Sequence, residues 1–249
     1  MLLLRSGMLA AEDANGARAT LEAFAAVPGL THGFGRRAGT ARAETREETR
    51  ARVASGLRPY GRLLLLHQVH GATVQAAPWE GRPDGDAAVA RAPGFILGIE
   101  TADCLPVLLV DPRRRAVAAV HAGWRGTVAG VSRAAVKALV AGGSRAEDLL
   151  VALGPSIGPC CYEVGDEVKA AFGPGGAVFF RRGPRGRDHL DVRAANRGQL
   201  IEAGLDPAGI GGIDECTFCR PDLYHSYRRD GPGSGRMISH VGLLDEPRV

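Results

Sequence analysis

Three side chains that can do chemistry each stand at the end of an apolar run. His70 follows "LLLLHQV", Cys104 precedes "LPVLLV", and His121 ends "AVAAV". A purely structural thiol normally lies inside such a run, where it packs as a small apolar group. Two imidazoles and a thiolate at strand ends form a donor set, here called the His/Cys/His set, that suits zinc and leaves a fourth position open. The alternative is that two of the three only fill polar niches in the core.

Short apolar segments bounded by turn residues predict the strands that carry this set. The predicted strands cover residues 62–66, 73–77, 95–100, 105–110, 116–121, 149–154, 178–180, 210–214 and 237–240. Helical spacing predicts four helices, one from the end of "GWRGT" to a stop at Gly142 and three over residues 44–55, 164–172 and 191–203. Many short strands with few helices predict an α/β chain of mixed sheets with helices outside. We expect a single domain over residues 1–249.

The composition indicates a globular chain of enzyme size. Its 249 residues are 45% apolar, which is enough to bury a core. The 31 Lys and Arg against 27 Asp and Glu give a net charge of +4, an excess too small to imply a nucleic-acid partner. Five cysteines, an odd number, and only a four-residue apolar stretch before Arg5 predict a cytoplasmic protein without signal peptide or membrane span.

The other four cysteines form two short motifs, the adjacent Cys160 and Cys161 and the "CTFC" pair Cys216 and Cys219. The second pair has the spacing of half a structural zinc site. A closed four-thiolate site usually uses two C-x-x-C pairs, and adjacent cysteines are poorly placed to chelate one ion. The sequence therefore favours packed free thiols over a structural metal at these motifs.

Three basic stretches are candidates for binding an anionic or aromatic substrate. "HAGWRGT" joins a strand end to a helix start beside Arg125, although its spacing matches no nucleotide-binding glycine loop. "THGFGRRAGT" is predicted to be a glycine-rich loop that presents Arg37 to a phosphate or carboxylate. "DLYHSYRRDG" places Tyr224 near Arg228, as at a pocket rim that stacks a base. For each stretch the alternative is an ordinary turn, solvated loop or edge strand.

Five motifs in register resemble the YfiH/LACC1 family, long labelled multicopper polyphenol oxidases or laccases and associated with purine nucleoside phosphorylase activity. In chain order they are "HQVHG", "TADCLPVLL", "HAGWRGT", "GPSIGPCCYEVG" and "CTFCRPDLYHSYRRDG" followed by "GRMIS", and the resemblance runs from about residue 32 to residue 240. It implies a CNF1/YfiH-like layered sandwich of mixed β-sheets with outer helices. The family's "FSTRxGG" loop is "FGRRAGT" here, which keeps Arg37 but loses the expected hydroxyls at positions 35 and 36.

The resemblance also implies a site and a reaction. The site is a metal or catalytic centre at His70, Cys104 and His121, with zinc as the expected ion and copper as the alternative. The implied substrates are adenosine, inosine, guanosine and methylthioadenosine, cleaved with phosphate, with adenosine deamination as a second activity. We expect Asp103 to act as a proton shuttle and a monomer or small homo-oligomer as the assembly. The residues expected to contact purine nucleoside or phosphate are Arg37, Arg125, Arg228 and Tyr224.

Two other functions stay open at this point. A copper-dependent polyphenol oxidase with a type-1 copper and a three-copper cluster would need about ten histidines. The chain has seven, and none of them forms an H-x-H pair. The other is a non-enzymatic metal-binding or envelope-assembly partner, which would have the pocket but catalyse no reaction in it.

Overall fold

Strands dominate the computed structural model, which describes residues 18–19, 22–38 and 44–244. In chain order the strands of these ranges are β1 (Arg18–Ala19), β2 (Leu30–Gly35), β3 (Arg62–Leu65), β4 (Val74–Ala76), β5 (Ala87–Ala90), β6 (Phe95–Thr101), β7 (Leu105–Asp111), β8 (Ala116–Ala122), β9 (Leu150–Leu153), β10 (Glu163–Val164), β11 (Phe180–Arg182), β12 (Asp188–Leu190), β13 (Ile210–Gly212) and β14 (Met237–Leu243). They form sheets ordered β1-β2-β14-β6-β3, β13-β9-β7-β8-β5-β4 and β10-β12-β11. The two larger sheets contain both parallel and antiparallel pairs.

Along the chain, the helices occur in the segments between these strands. They are α1 (Glu22–Ala25), α2 (Arg46–Leu57), α3 (Trp124–Val128), α4 (Val131–Ala141), α5 (Asp166–Phe172), α6 (Val192–Glu202) and α7 (Tyr227–Asp230). None of the described helices has both the length and the apolar character needed to cross a membrane.

Strand β7 shows how the layers are built. Because successive side chains of a strand point to opposite faces, Leu108 and Val110 pack between the two larger sheets, whereas Val107 and Leu109 pack under the helices. Strand β8 repeats this alternation with alanine and valine. The result is a sheet, a second sheet and a helix layer, which confirms the predicted α/β sandwich of mixed sheets with outer helices.

Most predicted elements are present with boundaries shifted by one to three residues, but one prediction is wrong. Residues 30–35 form β2 instead of a glycine-rich loop. Gly35 is required there, since a Cβ atom would lie 2.6 Å from the backbone nitrogen of Ile238. Residues 174–179 form a 3-10 turn that delays the predicted strand to β11.

The helix predicted after "GWRGT" is interrupted. Gly130 adopts a left-handed φ of 80°, which ends α3 and starts α4.

The predicted N-cap Asp191 is confirmed, because its side chain accepts a hydrogen bond from the Ala194 N–H at the start of α6. Helix α2 begins with a capping box between Thr45 and Glu48.

Candidate active site

The structure brings the His/Cys/His set together at the ends of β7 and β8, two central strands of the six-stranded sheet. The ligand atoms of His70, Cys104 and His121 all lie within 4.8 Å of one another. Leu105 pairs with Ala122 across the β7–β8 hairpin, so Cys104 lies next to the end of β8. The His70 and His121 rings meet edge to face, with centroids 4.8 Å apart.

Gly123 provides the space in which these three side chains meet. A Cβ atom at this position would lie 2.9 Å from Nδ1 of His70 and 3.1 Å from Sγ of Cys104. Any larger residue would push the imidazole and the thiol apart. The glycine of "HAGW" therefore leaves room for the donor set. Helix α3 begins at the next residue, Trp124, and has only five residues.

Asp86, which no sequence motif singled out, orients two members of the set. Its carboxylate is fully buried and accepts the Nδ1–H of His121 at 2.8 Å. It also accepts the backbone N–H groups of residues 69, 70 and 71 at 3.2, 2.9 and 2.7 Å, which hold His70 in a left-handed conformation with φ of 60°. A carboxylate on one imidazole nitrogen leaves the other nitrogen to face a metal, as in many metal-binding histidines. The signal in the sequence was an aspartate at the start of the apolar run "AAVA".

Electrostatic coupling shifts the pKa values of the set. Burial would raise the pKa of the Cys104 thiol, but the charge of His121 and hydrogen bonds from both histidines outweigh it and lower this pKa to about 6. Burial would lower the pKa of His121, but the Cys104 thiolate and the Asp86 carboxylate raise it to about 9. At neutral pH the metal-free protein therefore holds a thiolate beside an imidazolium.

An open cavity of about 610 Å³ lies over the set, a volume typical of small-molecule sites. Three aromatic side chains line it, namely Trp124, Tyr162 and Tyr227. Six arginines also line it, namely Arg46, Arg50, Arg82, Arg125, Arg228 and Arg236. The carboxylate of Glu100 binds two of them, Arg50 and Arg82.

Arg46 and Arg236 both line the cavity. Burial and the positive charge of Arg46 both lower the pKa of Arg236. An anion bound near these two guanidinium groups would stabilise the charge of Arg236. The sequence does not single out Arg46, because residues 44–55 are predicted only as an exposed, charged helix, and it marks Arg236 only as part of the family motif "GRMIS".

Two of the four predicted substrate contacts lie in the cavity. The guanidinium of Arg125 stacks over the Trp124 ring at 4.3 Å, and that of Arg228 lies 5.3 Å from the Tyr162 ring centroid. Arg228 also donates to the carbonyl oxygen of Glu163 at 2.7 Å. These contacts hold both arginines at the cavity rim.

The structure does not bring Tyr224 and Arg37 to the cavity. Tyr224 is fully buried, and its hydroxyl group donates a hydrogen bond to Glu215, so its ring cannot stack a substrate. Tyr227, the first residue of α7, is half exposed and lines the cavity instead. Arg37 donates to the carbonyl oxygen of Pro221 at 3.3 Å and is not part of the lining.

Asp103 lies in the lining, with both of its carboxylate oxygens occupied. One oxygen accepts the Thr217 hydroxyl at 2.6 Å, and the other accepts the backbone N–H of Arg228 at 2.7 Å. Its backbone has a left-handed φ of 86°, and its carbonyl oxygen accepts the Ile157 N–H at 2.9 Å. These bonds give Asp103 a positioning role beside Cys104, and the proton-shuttle role stays a prediction.

The remaining four cysteines are not the separate packed thiols expected from sequence. The sulfurs of Cys160, Cys161, Cys216 and Cys219 also lie within 4.8 Å of one another. Cys160 and Cys219 are exposed. Two turns that are far apart in sequence bring the two motifs together.

Comparison with known proteins places this site in a family context. A family model described as multi-copper polyphenol oxidoreductase laccase matches residues 33–244. A purine nucleoside phosphorylase from Deinococcus radiodurans is 40% identical over 198 residues, which cover 79% of this chain and 76% of that protein. Adenosine deaminase RL5, from an unknown prokaryotic organism, is 40% identical over 160 residues, which cover 63% of this chain and 61% of that protein.

The fold is similar to that of a solved relative. The crystal structure of YlmD from Geobacillus stearothermophilus superposes with a TM-score of 0.85 at 28% identity, over 96% of this chain and 100% of that chain. On the family model, the sequence identity and the shared fold, the chain belongs to the laccase-like family of multi-copper polyphenol oxidoreductases, as the YfiH/LACC1 motifs predicted.

Proposed function

We propose that this chain is a purine nucleoside phosphorylase that also deaminates adenosine. The observation that carries the proposal is the convergence of His70, Cys104 and His121 in a cavity lined by arginines and aromatic rings. An anion and a flat heterocycle are the two chemical parts of a phosphate and purine pair, and the lining suits both. The names of two relatives at 40% identity support the same two reactions.

The donor set fits a zinc ion. Its two imidazoles and one thiol lie within 4.8 Å of one another, and Asp86 fixes the orientation of His121. Three protein ligands with a fourth position left to the cavity are typical of catalytic zinc sites. When bound there, zinc would supply a Lewis acid that polarises water or a substrate oxygen.

In phosphorolysis, a phosphate oxygen forms a bond to C1′ of the ribose while the bond from C1′ to the purine nitrogen breaks. The departing purine takes up a proton, and the sugar leaves as its 1-phosphate. Arg46 and Arg236 orient the phosphate, and Arg125 and Arg228 add positive charge at the rim. Such preorganised charges stabilise the phosphate where the new bond forms.

In deamination, water adds to C6 of adenine and ammonia leaves, which gives inosine. The purine must then lie with C6 close to the donor set. Tyr162, Tyr227 and Trp124 provide ring faces at the cavity wall that can hold the base in this orientation. Cys104 and His121 line the end of the cavity where the reaction takes place, and the hydrogen bond from His121 to Asp86 fixes the orientation of the imidazole.

The test is a chromatographic assay of adenosine, inosine, guanosine and methylthioadenosine, each with and without phosphate. It compares the wild type with Cys104→Ala and His121→Ala. We expect phosphate-dependent base release by the wild type and a loss of about 100-fold or more in both variants. Equal rates in three equally folded proteins would overturn the assignment of the site.

The description of the family model favours a second candidate, a copper-dependent polyphenol oxidase. Within the described residues, the groups able to hold a metal are the His/Cys/His set and a four-cysteine set. They contain two histidines, whereas a four-copper oxidase needs about ten. Assays compare copper-loaded with zinc-loaded protein, and inosine turnover that does not depend on copper would reject the oxidase. Turnover that is lost in Cys104→Ala would exclude a purely structural partner.

A further inference from the structure

A second donor cluster lies outside the cavity. It consists of Cys160, Cys161, Cys216 and Cys219, here called the four-cysteine cluster, and each sulfur lies within 4.8 Å of the others. Sγ of Cys219 is 3.3 Å from that of Cys161 and 3.8 Å from that of Cys160. These separations are far longer than a disulfide bond of about 2.05 Å.

The spacing of the sulfurs matches that of a tetrahedral thiolate site. A zinc–sulfur bond of about 2.3 Å places neighbouring sulfurs of a tetrahedron about 3.8 Å apart. Of the six sulfur–sulfur separations, one lies at this value, one lies half an ångström below it, and all are within 4.8 Å. Small shifts of the four side chains would therefore bring the sulfurs to tetrahedral spacing.

Two tight turns explain why adjacent cysteines can contribute to one site. The N–H of Cys161 donates to the Gly158 carbonyl at 2.9 Å, and the N–H of Arg220 donates to the Cys216 carbonyl at 3.2 Å. The Gly158 N–H donates to Sγ of Cys216 at 3.2 Å, a bond that favours a thiolate and orients a metal ligand. Gly158 also packs tightly against the cluster, since a Cβ atom there would lie 3.2 Å from Sγ of Cys160.

We propose that the four-cysteine cluster binds a structural zinc ion that ties together two loops beside the cavity. Four thiolates fill a tetrahedral shell, so the ion would have no open position for catalysis. Two of the thiols are exposed, which gives the ion a route of entry.

The two loops that this ion joins both hold Asp103, the neighbour of Cys104. Ile157, from the first loop, donates its N–H to the Asp103 carbonyl at 2.9 Å. Thr217, from the second loop, donates its hydroxyl to the Asp103 carboxylate at 2.6 Å. The cluster therefore stabilises the backbone from which Cys104 projects, while taking no part in the reaction.

The experiment counts metal ions in protein purified from zinc-supplemented cells under reducing conditions. It compares the wild type, Cys104→Ala and a double variant with Cys216→Ser and Cys219→Ser by mass spectrometric metal analysis. We expect about two zinc ions in the wild type and about one in each variant. Cobalt-loaded Cys104→Ala should show the strong charge-transfer absorption of several thiolates, whereas the double variant should show that of a single thiolate.

The control variant keeps the proposal falsifiable even if the serine variant unfolds, because Cys104→Ala leaves the four-cysteine cluster intact. A Cys104→Ala protein that retains no zinc, or a disulfide among the four cysteines found by thiol titration of the wild type, would overturn the proposal. Phosphorolysis is measured on the same wild-type preparation. An active enzyme with a metal-free cluster would overturn this inference alone, and a zinc-loaded cluster in a protein without turnover would overturn only the proposed function.

Discussion

Single residues decide the geometry of the His/Cys/His set, and Asp86 has the largest share. It accepts the imidazole N–H of His121 and three consecutive backbone N–H groups around His70. Because it is fully buried, no water can replace these bonds if the carboxylate is removed. One side chain therefore controls two of the three ligands.

We expect Asp86→Asn to weaken zinc binding by about 10- to 100-fold, because an amide cannot accept all of these N–H groups. Competition with a chromophoric chelator measures the affinity, and the phosphorolysis assay measures the accompanying loss of rate. Asp166→Asn, an exposed aspartate in the first turn of α5, is the matched control and should bind zinc as the wild type does. Unchanged zinc affinity in Asp86→Asn would contradict the role assigned to Asp86.

The coupled titration of Cys104 and His121 predicts an unusual pH dependence of thiol reactivity in metal-free protein. The thiolate is the reactive form, so alkylation of Cys104 should rise with pH through a midpoint near 6 and then level off. An ordinary thiol has a midpoint of about 8.5. In His121→Gln the midpoint should move upward, because the positive charge that favours the thiolate is gone.

The measurement is the rate of iodoacetamide labelling of the Cys104 peptide, followed by mass spectrometry. The pH runs from about 5 to about 9, which covers the expected midpoint and that of an ordinary thiol. Cys161 is an internal control, because burial and hydrogen bonds with Cys219 raise its pKa. A Cys104 rate that still climbs steeply above pH 8, at about the pKa of a free thiol, would show that the imidazolium does not stabilise the thiolate.

Strands and helices place the reactive side chains of the site. The β7–β8 hairpin places Cys104 beside the end of β8, and its register follows from the alternation of apolar side chains on two covered faces. Helix α2 supplies Arg46 to the cavity because Arg50, one turn later, is tethered to Glu100 of β6 by bonds of 2.9 and 3.0 Å.

The position of α2 predicts that Arg46→Gln raises KM for phosphate by about tenfold, which is the loss of roughly one charge-assisted hydrogen bond. The KM for the nucleoside should change less, because the arginine is placed to contact the anion. Arg58→Gln, at the opposite end of the same helix, is exposed and should leave both constants unchanged. Equal effects of Arg46→Gln on both substrates would argue against a phosphate site at α2.

Elements were predicted best where their pattern is local. The apolar runs of β6, β7 and β8 predict their strands correctly, whereas β5, with three alanines in four residues, and β2, with two glycines in six, are not predicted. Such small residues have little strand preference of their own. They form strands here because each pairs with a longer neighbour, β2 with β14 and β5 with β8, and the 2.6 Å from a Cβ atom at Gly35 to the Ile238 nitrogen shows how close β14 lies.

At the scale of the whole molecule, the packing of the two larger sheets against each other supports every loop of the site. Leu108 is fully buried between them. We expect Leu108→Ala to lower the free energy of unfolding by about 2–5 kcal/mol, because it removes apolar contacts and leaves a cavity.

Urea denaturation measures this change in the free energy of unfolding. Val178→Ala is the control, since its side chain is 80% exposed and its loss should cost no more than about 0.5 kcal/mol. Similar midpoints for the two variants would mean that the contact between the sheets contributes little to stability.

The sequence by itself determined which side chains stand at strand ends, the fold class and the family, because apolar periodicity and short motifs are local properties of the chain. Only the tertiary structure decided which of these side chains meet. Asp86 and His121 are 35 residues apart, and Gly158 and Cys216 are 58 residues apart, so local conformation says nothing about their contact. Packing of the sheets brings such distant segments together, and it also turns Tyr224 inward and leaves Tyr227 at the cavity.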